Sequence, residues 1–225
     1  MHISPRDPRE SGRDYALRVI KDNILALELE PGSMVSENEL AAQLGLSRTP
    51  VREALMELSK VKLVEVYPQR GSAVARIDYA LVEETNFMRR VLECEVVMLA
   101  CEKATDEQKV ALMDNIALQE RYRATARSEM LMPLDNQLHQ MIFDIAHKSS
   151  LWPLLTGYTV HFDRVRRMAL SAVNNDRNVA DHRAIAEAVV AGDAAEARRL
   201  KERHRSRYKV DEDALRDRYP AAWFR

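Results

Sequence analysis

Apolar positions recur at helical spacing along most of the chain. Ala16, Ile20, Ile24 and Leu27 fall on one face of a segment from about Asp14 to Glu28, which Pro31-Gly32 closes. Ser36-Glu37-Asn38-Glu39 fits a capping box, with Val35 and Leu40 as its hydrophobic staple, and Gly45 suits the left-handed position that ends the short helix. A third helix follows, with Thr49 as its expected cap, Pro50 at its first position, and Val51, Leu55 and Leu58 on its buried face. The pattern then changes period. Leu63 to Val66 and Ala73 to Ile77 read as strands of a hairpin around the tip Tyr67-Pro68-Gln69-Arg70-Gly71-Ser72.

From Tyr79 onward the pattern is helical again, with helices expected near 81–104, 106–128, 133–148, 151–173, 179–191 and 194–216. Breaks fall at Thr105, Pro133, Ser149-Ser150, Asn174-Asn175 and Gly192-Asp193. The expected fold is mainly α: a winged helix-turn-helix domain over 14–78 and an all-α six-helix bundle over 79–217. Residues 1–13 are read as a flexible arm. Residues 218–225 form a tail aromatic enough to dock.

Composition narrows the class. With 46% apolar and 31% charged residues the chain is ordinary globular material. The longest dense apolar run, residues 96–101, falls far short of the roughly 18 residues a membrane span needs. The first 13 residues lack the apolar core of a secretory signal. The two cysteines, Cys94 and Cys101, would stand about 10 Å apart on a helix, too far to bridge, so a reduced, cytoplasmic protein is expected.

The net charge of −1 gives no overall basic footprint, but residues 45–77 hold six basic residues against three acidic ones. With Val51, Leu55 and Leu58 buried, Arg48 and Arg52 project one turn apart from the opposite side of the third helix, at its N-terminal end. That end enters the major groove in helix-turn-helix docking, where an arginine can bond guanine bidentately. Ser47 and Thr49 suit phosphate oxygens, and Arg70-Gly71 at the hairpin tip can reach an adjacent groove. A merely solvated arginine face is the simpler alternative.

The run Leu40-Ala41-Ala42-Gln43-Leu44-Gly45-Leu46-Ser47-Arg48-Thr49-Pro50-Val51-Arg52-Glu53-Ala54-Leu55, with Pro68-Gln69-Arg70-Gly71 after it, resembles the winged-helix domain of the GntR family of bacterial transcription regulators. The resemblance implies DNA contacts by Arg48, Thr49 and Arg52, and a minor-groove role for Arg70-Gly71.

In the second half, Asp135 and His139 lie four apart on one helix face, and His182 and His204 lie on later helices. One carboxylate and three imidazoles suit zinc first, with nickel or manganese as alternatives, although an Asp/His pair at that spacing is often only a surface hydrogen bond. Residues 81–208 resemble the FCD effector domain of the FadR-type branch of the same family. The resemblance rests on Arg89-Arg90-Val91-Leu92-Glu93, Asp135-Asn136-Gln137-Leu138-His139, Asp181-His182-Arg183-Ala184-Ile185-Ala186-Glu187-Ala188 and Gly192-Asp193-Ala194-Ala195-Glu196-Ala197 followed by His204. The helix count resembles the shorter VanR-like subgroup. This resemblance implies that Asp135, His139, His182 and His204 hold a divalent metal ion.

Arg89 matches the family arginine facing the ligand cavity, and equally can pair with Glu93 at i+4. A guanidinium opposite an open metal position would clamp a carboxylate, so a small organic acid is the expected effector. His161, Arg164 and Arg167 share a helix face and are each candidates to line the pocket, with solvation the simpler reading of the arginines. The expected whole is a regulator, a repressor by preference, binding a two-fold symmetric DNA operator as a homodimer. Two alternatives are a metal-dependent hydrolase or lyase using the Asp/His site, and an architectural DNA binder with no ligand.

Overall fold

The computed structural model of the protein describes residues 1–125, 127, 130–172, 176–206 and 208–225. Among them run eleven helices and one three-stranded sheet. They divide into two compact units. One comprises Met1–Val82, Val160–Arg167 and Arg216–Arg225, the other Glu83–Thr159 and Met168–Leu215.

In the first unit, α1 (Gly12–Leu25) is capped by the Ser11 hydroxyl, which accepts from the Asp14 amide. It ends before the predicted stop at Pro31-Gly32. Leu27 takes a left-handed φ of 64°, and Asn23 O collects the amides of Glu28 and Leu29. Residues of the expected arm are bonded to this helix: Arg18 holds Glu10 through Nε and Nη2 and Ser4 through Nη1, while Asn23 Nδ2 donates to His2 O.

Helix α2 (Glu37–Leu44) starts at Ser36, whose hydroxyl accepts from Glu39 N at 3.4 Å, and stops at Gly45 with φ 65°. Only this half of the predicted capping box forms among the described residues. Helix α3 (Arg48–Lys60) begins earlier than expected. Ser47, not Thr49, is its N-cap, and it makes no side-chain capping bond. Pro50 then sits third in the helix, still within the first turn whose amides have no helical acceptor.

Strands β1 (Met34–Val35), β2 (Val64–Tyr67) and β3 (Gly71–Val74) pair antiparallel in the order β1-β3-β2. Val64 faces Val74 and Tyr67 faces Gly71 across the hairpin, while the two-residue β1, too short to show a period, adds Met34 opposite Ala73. Val35, Val64 and Val74 close a core with Ala16, Ile20, Ile24, Val51, Leu55 and Leu58. The tail also belongs here. Ile77 N donates to Trp223 O at 2.8 Å, and Arg225 N donates to Ile77 O at 2.9 Å.

The second unit is all helical. Its chain runs through α4 (Tyr79–Lys103), α5 (Asp106–Ala124), α6 (Leu131–Ile145), α7 (Leu151–Tyr158), α8 (Val160–Ala172), α9 (Asp176–Ala191), α10 (Ala194–Ser206) and α11 (Tyr208–Arg218), with the ends of α4, α8 and α11 counted in the first unit. Thr105 forms the full capping box of α5 with Gln108. The segment predicted as one helix over 151–173 is interrupted at Thr159, and the segment over 194–216 is recorded as α10 and α11. The break expected at Asn174-Asn175 lies outside the described residues. Val97, Ala100, Leu112, Ile116, Leu138, Ile142, Phe143, Ile185, Val189 and Leu200 form the core. Cys94 and Cys101 are buried and unbridged on α4. No described helix is long and apolar enough to cross a membrane.

Candidate functional site

Two groups of predicted residues take shape, one in each unit. Around the start of α3, Ser47, Arg48, Thr49 and Arg52 are all exposed, while Val51, Ala54, Leu55 and Leu58 of the same helix are buried. Helical spacing therefore puts the polar residues on the outer face at the electropositive end of the helix, where four amides lack helical partners. Arg48 reaches back to Glu37 at 3.3 Å, an exposed pair of little energetic weight that ties α3 to α2. Arg70 and Gly71 sit at the exposed hairpin tip. Gln69 and Gly71 both have positive φ, 62° and 97°, so the turn needs a glycine or a tolerant polar residue at these positions.

In the second unit, the three histidines converge. One ring nitrogen from each of His139, His182 and His204 lies within 4.8 Å of the others, and all three rings are buried. Asp135 joins them: its Oδ1 lies 3.0 Å from His139 Nε2 and 3.8 Å from His182 Nε2. Residues from three separate helices, α6, α9 and α10, thus share one centre.

A polar chain orients His182. Asn115 Nδ2 donates to Leu134 O and Gln137 Oε1, so its Oδ1 is left to accept from Gln119 Nε2 at 2.7 Å. Gln119 Oε1 must then accept from His182 Nδ1 at 2.8 Å, which leaves the lone pair of Nε2 facing the centre. His204 is set the same way. Its Nδ1 meets Asp181 Oδ2 at 3.4 Å, while Arg205 Nη2, which can only donate, lies 3.0 Å from its Nε2.

The centre borders a buried ion network. Glu93 receives Arg89 Nε at 2.6 Å, Lys201 Nζ at 2.9 Å and Arg205 Nε at 3.4 Å. Burial works to raise the Glu93 carboxyl, but Arg205, Arg89 and Lys201 hold it well below the usual carboxylate range. Burial pushes Lys201 down to about 8 although Glu93 pulls it the other way. Burial and then Lys201 drive His139 well below its ordinary value; burial and then Arg205 do so for His204. Both imidazoles are therefore neutral, the form that can ligate a cation. Arg89 makes the predicted i+4 pair with Glu93, and its Cζ also lies 5.7 Å from the Trp152 ring.

The donor set fits a borderline divalent ion: three buried imidazoles and one carboxylate, with the His182 and His204 rings oriented by a second ring of polar groups. Arg205 already places a cation 3.0 Å from the lone pair of His204 Nε2, while His139 accepts from Lys201 Nζ at Nδ1, 2.8 Å away, and so turns its Nε2–H toward Asp135 Oδ1.

Several of these residues belong to no motif of the sequence. Asn115 and Gln119 sit i+4 apart on the face of α5 that otherwise buries Leu112 and Ile116, and Lys201 falls beside Ala197, Leu200 and His204 on the buried face of α10. Polar residues at core positions of a helical period are the signal that marks them. Arg164, read as solvated, is fully buried in the first unit. Its Nη2 donates to Ala75 O at 2.7 Å, with His161 beside it on Val61 O, while Arg167 is exposed as expected.

Comparison with known proteins identifies the family of both halves of the chain. Residues 16–74 match the bacterial regulatory proteins of the gntR family, and residues 84–207 match the FCD domain. An HTH-type transcriptional regulator in an unstable DNA locus of Streptomyces ambofaciens is 36% identical over 197 residues, covering 87% of this chain and 82% of that protein. The HTH-type transcriptional repressor RspR of Escherichia coli is 30% identical over 168 residues, 75% of this chain and 74% of its own. Among solved structures, McbR/YncC of Escherichia coli shares the fold with a TM-score of 0.75 at 21% identity, over 94% of this chain and 100% of that one. A GntR structure from a Rhodococcus species gives 0.71 at the same identity and coverage. The chain belongs to the GntR family of bacterial transcription regulators and carries that family's FCD domain behind its helix-turn-helix domain.

Proposed function

We propose that this regulator is a repressor whose hold on a two-fold symmetric operator is set by a small organic acid bound at a divalent metal centre. The observation that carries this reading is the convergence of His139, His182, His204 and Asp135, buried and pre-oriented, in a chain whose other unit presents Arg48 and Arg52 outward. The name of the related repressor RspR supports the sign of regulation.

Residues 14–78 read DNA in this scheme. Arg48 and Arg52 contact base edges in the major groove, Ser47 and Thr49 hold phosphates at the helix start, and Arg70-Gly71 enter the minor groove. Residues 79–217 bind the effector and join two chains into a homodimer that mirrors the operator. Asp135, His139, His182 and His204 would hold the ion, zinc before nickel or manganese. A divalent ion there supplies Lewis-acid attraction for a carboxylate oxygen.

The surrounding residues do the rest. Arg89 offers its guanidinium fork to the carboxylate, Glu93 keeps that fork aimed, and Trp152 walls one side of it. Three buried cations and the three buried carboxylates of Glu93, Asp135 and Asp181 balance, so a divalent ion adds uncompensated positive charge that an acid relieves. The acid must bind one arrangement of the dimer better than the other, or it changes nothing.

Native mass spectrometry with metal analysis of the full chain, paired with operator titrations against a panel of small carboxylic acids, tests the proposal. A dimer with about one ion per subunit and an acid that alters operator affinity is the expected result. A protein that takes up no zinc, nickel or manganese overturns the metal centre, and affinity indifferent to every acid overturns the effector.

A further inference from the structure

The tail and the wing build a basic cleft together. The parallel bridge between Ile77 and Phe224, flanked by the two backbone bonds of Ile77, clasps the tail to the chain just after β3. Phe224 is buried and stacks on Tyr79 at 6.1 Å, and the Arg216 guanidinium lies 4.9 Å and 5.0 Å from the ring centres of Tyr79 and Phe224. This clasp fixes where Arg225 stands.

The strand register puts Met34, Ala73 and Glu65 in one row, beside Tyr67, on the sheet face away from the α1–α3 core. A cleft of about 480 Å³ opens on that face. Arg70 enters it from the hairpin tip, Arg76 from the end of β3, and Arg225 from the tail. Among the described residues Glu65 is the only acidic side chain in its lining. It is already engaged by the Tyr67 hydroxyl, and Arg225 Nη1 lies 3.7 Å from it. Among the described residues neither Arg70 nor Arg76 has an ion-pair partner, so the cleft keeps an excess of positive charge.

We propose that this cleft is a further DNA contact, in which Arg76 and Arg225, beside Arg70, each grip a backbone phosphate of the strand flanking the groove that the wing tip enters. The inference rests on the wing's reading as a DNA-contacting element and extends it to a residue from the far end of the chain. A DNA strand fits better than a free small anion because the cations stay in water. The Arg225 side chain is 70% exposed, and Arg70 and Arg76 are exposed too, whereas a small-anion pocket encloses its arginines. The cleft is continuous with the tip through Arg70. Met34 at 61% exposure and the Tyr67 ring offer apolar contact to deoxyribose.

The test is fluorescence anisotropy of the full chain on a duplex carrying an operator selected from a random library, over a series of KCl concentrations. Arg76→Ala and Arg225→Ala should each weaken binding severalfold and lower the log–log salt slope by about 0.9 for each phosphate no longer neutralised. Arg225→Lys should keep the slope. The side-chain changes spare the backbone clasp, and Glu65→Gln should tighten binding by relieving the competing charge. An unchanged slope in Arg76→Ala and Arg225→Ala, while Arg52→Ala weakens specific binding, overturns the cleft and leaves the major-groove reading standing. Indifference of Arg52→Ala as well overturns both. Calorimetric uptake of inorganic phosphate that Arg225→Ala removes, with an unaltered DNA slope, overturns the proposal in favour of a small-anion site.

Discussion

His182 gives its Nδ1 proton to Gln119 Oε1 at 2.8 Å, and Gln119 can accept it only because its own amide nitrogen is committed to Asn115. The ring is thereby held with Nε2 bare toward His139 and Asp135. Gln119→Met should keep the helix and the volume but release the tautomer. Zinc affinity, measured by competition with a chromophoric chelator, should fall about 10- to 100-fold. His182→Ala should remove tight uptake altogether. Unchanged affinity in both variants would take His182 out of the ligand set.

Arg205 holds the opposite position. Its Nη2 lies 3.0 Å from Nε2 of His204, the lone pair a metal ion needs. Two cations cannot share it, so Arg205 must withdraw when an ion enters. Arg205→Met should raise zinc affinity about tenfold or more, because competitor and repulsion vanish together. The same chelator competition reads it. A fall in affinity would show that Arg205 supports the centre instead of guarding it.

For the DNA-reading half, Arg52→Ala should cost about 1–3 kcal/mol of sequence discrimination while binding to scrambled duplex largely persists. Anisotropy on selected and scrambled duplexes separates the two. Equal loss on both would make Arg52 a phosphate contact rather than a base reader.

Much of this architecture is legible in the residues because short-range rules set it. The left-handed Gly45, the buried triad Val51, Leu55 and Leu58, and the hairpin register all follow from local spacing. The Ser47 cap escapes those rules because proline is tolerated anywhere in the first helical turn, so Pro50 does not fix the start. The break at Thr159 leaves no mark because apolar periodicity continues through it, with Trp152, Leu155 and Phe162 buried at spacings of three and seven. Arg164 departs from expectation for a different reason. Composition predicts a solvated arginine, and only the fold supplies the Ala75 carbonyl that receives it. The histidine centre lies between these cases: its ligands carry a spacing signal, while Gln119, Lys201 and Arg205 acquire meaning only when the helices that bear them meet.

The Glu93 cluster yields a stability prediction. Three buried cations, Arg89, Lys201 and Arg205, lean on this one carboxylate. Glu93→Gln leaves them without their shared counter-charge and should destabilise the fold by about 3–5 kcal/mol in urea denaturation. Adding Lys201→Met to that variant should recover part of the loss. A change below about 1 kcal/mol for Glu93→Gln would mean that the network is not desolvated as placed.

His161 sets a pH dependence in the other unit. Its Nε2 meets Val61 O at 2.8 Å, and burial, reinforced by Arg164, pushes its pKa from the ordinary 6.5 down to about 4. The unfolded chain therefore takes up a proton on this ring at a pH where the folded chain refuses it. The contribution to stability is complete above about pH 6.5 and is lost as pH falls toward 4, the loss reaching about 2 kcal/mol by about pH 5. Denaturation of the wild type and of His161→Gln, which can still donate to Val61 O, should converge in stability by about that amount between about pH 7.5 and pH 5. Parallel pH profiles for the two proteins would show that His161 is protonated in the fold, and that the Val61 carbonyl and its surroundings hold a charged ring.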